Sequence, residues 1–148
     1  INRYDIPYEY IDRELTETTT EGDYLKLKKL VEGLTKIGIH TSIDDFGIGY
    51  SSLNLIRELP WNVMKIDRSL LPISSTDQKE LSTVLYKHIT AMASDMGIEC
   101  LTEGVETAEQ VQILRDNYCL YAQGYYYDKP LPLDEFEKRL EIGQYPIN

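Results

Sequence analysis

Gly38-Ile39-His40-Thr41-Ser42-Ile43-Asp44 and, later in the chain, Gly97-Ile98-Glu99-Cys100-Leu101-Thr102-Glu103 repeat one design: a glycine, a short strand-like run, and a closing acid. Each glycine ends a helical pattern. The first such helix runs from Asp23 to Ile37 with Leu27, Leu30, Val31 and Leu34 on one face, and the second from about Asp77 to Met96 with Leu81, Val84, Leu85, Ile89 and Met92. Further strands are predicted at Tyr8 to Leu15, Asn62 to Ile66 and Cys119 to Ala122. Further helices are predicted at Leu53 to Leu59, after the capping box Thr107-Ala108-Glu109-Gln110, and from Asp134. Regular βα alternation builds a parallel sheet with helices outside, either doubly wound or closed into a barrel. Asp44 and Glu103 then sit at similar depth at the C-terminal ends of two strands, the end that carries the active site in α/β barrels.

Composition bounds the function. The 148 residues are 42% hydrophobic and 27% charged, as in one globular domain, and the formal charge of -10 would repel a nucleic acid polymer. No apolar run approaches the ~20 residues that span a bilayer, and the first residues lack a signal-peptide layout, so a cytoplasmic location without membrane contact is expected. Cys100 and Cys119 lie in apolar segments without CxxC spacing or neighbouring histidines and read as buried free thiols.

Acids and one lysine recur at strand ends: Glu14, the pair Asp44-Asp45, Lys65 with Asp67, and Glu103 with Glu106. Carboxylates converging on one barrel mouth would repel one another unless divalent cations bridged them, and all-oxygen ligation suits magnesium or manganese better than zinc. Phosphate ester hydrolysis is the chemistry such a site favours, because paired ions lower the pKa of a shared water and stabilise the phosphoryl charge. Strand alternation places Val63, Lys65 and Asp67 on one face and Met64 and Ile66 on the other, so Lys65 can face the acids while Ile66 meets the helices.

Each piece alone has a plainer explanation. Paired aspartates before Phe46-Gly47 more often form a turn, Lys65 alone a solvated strand end, and Glu14 or Glu103 alone a helix N-cap. His40 and His88 read as ordinary residues, and the twelve tyrosines as packing and strand formers. Asp45-Phe46-Gly47 is not a kinase motif, since neither a GxGxxG loop nor an HRD loop precedes it.

Taken in order, Glu14-Leu-Thr-Glu17, Asp44-Asp-Phe-Gly-Ile-Gly-Tyr-Ser-Ser-Leu53, Lys65-Ile-Asp-Arg-Ser69, Glu103-Gly-Val-Glu-Thr107 and Gln123-Gly-Tyr125 with Lys129-Pro-Leu131 resemble the EAL family of cyclic di-GMP phosphodiesterases. The resemblance implies a TIM-like (β/α) barrel that opens one phosphodiester bond of cyclic di-GMP with two Mg2+ or Mn2+ ions. It implies metal ligation by Glu14, Asp44, Asp45 and Glu103, with Asp45 bridging. Lys65 and Gln123 would stand beside the attacking water and Glu106 at the site edge, and Glu17 would anchor the loop Phe46 to Ser52. The family's naming Glu-Ala-Leu motif and the asparagine ligand of its second strand have no counterpart here, and Arg13, Thr102 and Leu120 depart from the usual residues.

A closed barrel takes about 250 residues. Residues 1 to 148 are therefore expected to be the C-terminal part of one EAL domain, with about six of eight strands, inactive alone and prone to form homo-oligomers through open edges. The alternatives are a degenerate module that binds cyclic di-GMP or a protein partner without catalysis, and a purely structural barrel remnant.

Overall fold

The computed structural model describes residues 2–16, 24–48, 53–72 and 79–143. Five strands, β1 (Asp12–Thr16), β2 (His40–Phe46), β3 (Val63–Ile66), β4 (Glu99–Thr102) and β5 (Tyr121–Ala122), form one sheet in sequence order, each parallel to its neighbours. Between and after them run α1 (Tyr24–Lys36), α2 (Leu53–Glu58), α3 (Lys79–Asp95), α4 (Ala108–Asp116) and α5 (Leu133–Ile142). The architecture is an α/β barrel segment that does not close: among the described residues β1 and β5 each have one strand neighbour, and five strands are present rather than six.

The two quoted glycines set the strand depths as their repetition implies. Gly38 and Gly97 take φ of 83° and 73°, a region open to glycine at no steric cost. The amides of Ile39 and Ile98 bond back to the carbonyls of Leu34 and Ala93 at 3.1 and 2.9 Å, so both helices close in the same way before β2 and β4 begin.

The outer face of the sheet is apolar. Ile43, Met64, Ile66 and Cys100 are buried in one cluster with Leu27 and Val31 of α1, Tyr86 and Ala93 of α3, and Val111 and Leu114 of α4. Both cysteines are free and buried, and burial pushes the Cys100 thiol up to about 12. The capping box at Thr107 is complete, its hydroxyl accepting from the Gln110 amide.

Three expected elements differ. Tyr8–Tyr10 is a 3-10 turn and not the start of β1: Pro7 fixes its own backbone, and its carbonyl and that of Tyr8 accept from Tyr10 and Ile11. In α3 the inward residues are Tyr86, Thr90 and Ala93, with the expected Ile89 and Met92 also packed against the core, while Leu81, at 69% exposure, Val84 and Leu85 face outward. Two of those inward positions are polar, which hides them from a hydrophobic count, and both are satisfied internally: Tyr86 OH meets Thr102 Oγ1 at 2.7 Å, and Thr90 Oγ1 donates to the Tyr86 carbonyl. The tyrosines are not mainly packing residues, since Tyr4, Tyr10, Tyr118 and Tyr125 are exposed.

No described helix is long and apolar enough to cross a membrane. The stripe on α3 yields a direct test by urea denaturation. Tyr86→Ala should cost about 3–5 kcal/mol, whereas Leu81→Ala should stay within about 0.5 kcal/mol.

Candidate metal and phosphodiester site

Lys65 lies on β3 between Met64 and Ile66, which are both fully buried against the helices. Alternation turns it to the other face of the sheet, where it is 7% exposed. Its Nζ lies 2.7 Å from Glu14 Oε1 of β1, 2.9 Å from Asp44 Oδ1 of β2 and 2.8 Å from Glu103 Oε1, just beyond β4. One ammonium thus ties together carboxylates from three strands. Burial pulls its pKa down, but the bonds to Glu103, Glu14 and Asp44 outweigh that and hold it above the ordinary lysine range.

The raised value carries a sign. The stabilisation from this ion-paired lysine is fully present below its unfolded pKa of about 10.4, and is lost as pH rises through the higher folded value. Across neutral pH the lysine stays charged.

Asp45 requires a different explanation. Neighbouring residues in a strand point to opposite faces, so Asp44 and Asp45 could not both reach the mouth from regular backbone. The register between β2 and β3 shifts between Ile43 and Phe46, and Asp45 takes φ of 56°, in the left-handed region. This bulge brings carboxylate oxygens of Asp44, Asp45 and Glu103 within 4.8 Å of one another and returns Phe46 to the core. Aspartate tolerates the conformation better than most residues, and a turn does follow it, the Ile48 amide donating to the Asp45 carbonyl at 3.2 Å, so the strained residue both opens the turn and stands at the charged cluster.

The grouped oxygens of Asp44, Asp45 and Glu103 fit a hard divalent cation, and Glu14 stands across Lys65 from them. All donors are oxygens, and one lysine, although it engages Asp44 Oδ1 at 2.9 Å, cannot neutralise four carboxylates. Of the residues expected from the sequence, Asp44, Asp45 and Glu103 are grouped, and Lys65 links Glu14 to Asp44 and Glu103. Gln123 and Glu106 lie beside them along an open cleft of about 650 Å³, whose wall also includes Arg68, Gly104, Tyr125 and Lys129. Glu17 lies outside the described residues, as does the expected loop beyond Ile48.

The cleft wall depends on close backbone approach. A Cβ on Gly124 would stand 2.2 Å from the Val105 carbonyl oxygen, and Val105 and Gln123 exchange a backbone bond of 3.1 Å. Further along, Arg139 of α5 pairs with Asp128 at 2.7 Å, and the Lys129 ammonium sits 5.4 Å from the centre of the Tyr125 ring. Sequence reasoning passed over Arg68, Asp128 and Arg139. The pairing of Asp128 with Arg139 joins a loop to a helix and leaves no periodic trace, but Arg68 stands three residues after Lys65 and was open to notice.

A family model for the EAL domain matches residues 2–130. The cyclic di-GMP phosphodiesterase NbdA of Pseudomonas aeruginosa is 37% identical over 92% of the chain, which spans only 17% of that protein's length. Among solved structures, the EAL domain of Mycobacterium smegmatis DcpA superposes with a TM-score of 0.88 at 31% identity, over 98% of this chain and 64% of that one. The PaMucR phosphodiesterase in its c-di-GMP complex superposes with a TM-score of 0.81 at 30% identity, over 91% of this chain and 54% of that one.

Substitution at residue 45 separates backbone from charge. Asp45→Asn should fold with stability within about 0.5 kcal/mol, because asparagine accepts positive φ. Asp45→Val should lose about 1–2 kcal/mol in urea denaturation.

Proposed function

The chain belongs to the EAL domain family, and on that premise we propose that it supplies the metal-binding and water-activating part of a cyclic di-GMP phosphodiesterase. The observation that carries this reading is the seating of Lys65 among Glu14, Asp44 and Glu103, with Asp45 brought in by the bulge. A structural barrel remnant has no need of that arrangement.

Glu14, Asp44, Asp45 and Glu103 would hold Mg2+ or Mn2+. Bound there, the ions supply a water of lowered pKa and neutralise charge on the phosphoryl oxygens. The chain's own groups do the rest. Lys65, kept protonated by its three partners, cannot act as a general base. It donates hydrogen bonds, and so orients the attacking water or a phosphate oxygen. Gln123 can fix that water through its amide, and Glu106 offers a further acid at the cleft edge. Glu17 remains the proposed anchor of the loop after Phe46. The product would be the linear dinucleotide, formed by attack of water on one phosphorus and departure of the ribose oxygen.

The open sheet favours a second statement. With β1 and β5 each having one strand neighbour among the described residues, we read residues 1 to 148 as the C-terminal part of one EAL domain, inactive alone and inclined to associate with another copy. On the alternative reading, that of a degenerate module, the same cleft would bind cyclic di-GMP without turnover.

Hydrolysis of cyclic di-GMP with manganese, followed by chromatography, tests both. The expected outcome is no turnover by the chain as it stands. Turnover should appear when two βα units from a relative are joined ahead of it, and Asp45→Asn should abolish it. Absence of turnover in the joined protein would favour the binding module. Light scattering should show association of the chain alone, and a stable monomer would contradict the open-edge argument.

A further inference from the structure

We propose that Arg68 binds the second phosphate of the cyclic dinucleotide, the one that is not attacked, and this assignment rests on the phosphodiesterase reading above. A cyclic dinucleotide carries two anionic phosphodiesters. If one lies at the carboxylate cluster to be cleaved, the other enters a protein of net charge -10 and needs a cation on the cleft wall.

Among the described cations of that wall, Arg68 is the one that faces neither a carboxylate cluster, a ring nor a paired acid across the cleft. Lys65 is held by three acids, Lys129 lies over the Tyr125 ring, and Arg139 is paired with Asp128. The Arg68 charge acts on the neighbouring Asp67 carboxylate, whose oxygen caps the Ser69 amide, and the side chain borders the cleft together with Glu103. Its stem is also positioned. Gly104 follows Glu103 with φ of 65°, and a Cβ there would stand 2.7 Å from Arg68 Cβ and 2.9 Å from Arg68 Cδ. The bare backbone of Gly104 therefore forms the floor on which the arginine stem lies, next to the acid that closes β4. A planar guanidinium held in this way can donate two parallel hydrogen bonds to one phosphate, which a lysine at the same place could not.

The test is calorimetric binding of cyclic di-GMP to the full 148-residue chain in calcium, a hard cation for the oxygen donors, with the ligand confirmed intact afterwards by chromatography. Arg68→Ala should weaken binding by about tenfold or more, and Arg68→Lys should recover part of the loss. Guanosine, which has no phosphate, should bind the unsubstituted and Arg68→Ala chains alike. Circular dichroism should show both variants folded, because the arginine is exposed. Unchanged binding of cyclic di-GMP by Arg68→Ala, or an equal loss of guanosine binding, would overturn the assignment and leave the phosphodiesterase reading intact. Absence of binding by the unsubstituted chain would remove that reading, and the role of Arg68 with it.

Discussion

A buried ammonium holding carboxylates from three strands is the constraint on which this structure depends. Glu14, Asp44 and Glu103 would repel one another at the mouth of the sheet, and the outer-face packing of Met64 and Ile66 would gain nothing from bringing them together. Lys65 reconciles the two demands. Its neighbours on β3 anchor the strand in the core, while its own side chain offsets part of the negative charge on the inner face. Removing one partner of a buried ion pair commonly costs about 3–5 kcal/mol, so the strand register and the charge cluster are coupled.

The second constraint is the bulge in β2. Regular pleating would send Asp45 into the helices; positive φ at that residue keeps its carboxylate beside Asp44 and lets Phe46 rejoin the core. Site and fold thus share one local distortion. Asp44 Oδ1 is engaged by Lys65 at 2.9 Å, and the carboxylates outnumber the one ammonium, so the cluster keeps surplus negative charge at the mouth of the sheet.

Much of this was legible in the residues. Glycine followed by a six-residue run to an acid placed Asp44 and Glu103 correctly, because helix termination and strand rise are local properties. Alternation placed Lys65 for the same reason. The motifs in order identified the family. Asp45 could not be derived from alternation, since its orientation comes from a bulge that only pairing with β3 reveals. The stripe on α3 held at Ile89 and Met92 but was misplaced at Leu81, Val84 and Leu85, because Tyr86 and Thr90 are buried polar residues whose partners, Thr102 and the helix's own carbonyls, are invisible in a count of apolar side chains. The turn at Tyr8–Tyr10 was missed because tyrosine favours strands, and the proline ahead of it overrode that preference.

Titration calorimetry with manganese tests the central claim, that the three carboxylates around Lys65, with Asp45 beside them, form a divalent-cation site. The account predicts saturable binding by the unsubstituted chain that is lost in Asp45→Asn while the fold persists. Binding of equal strength in both proteins, or none in either, would contradict it.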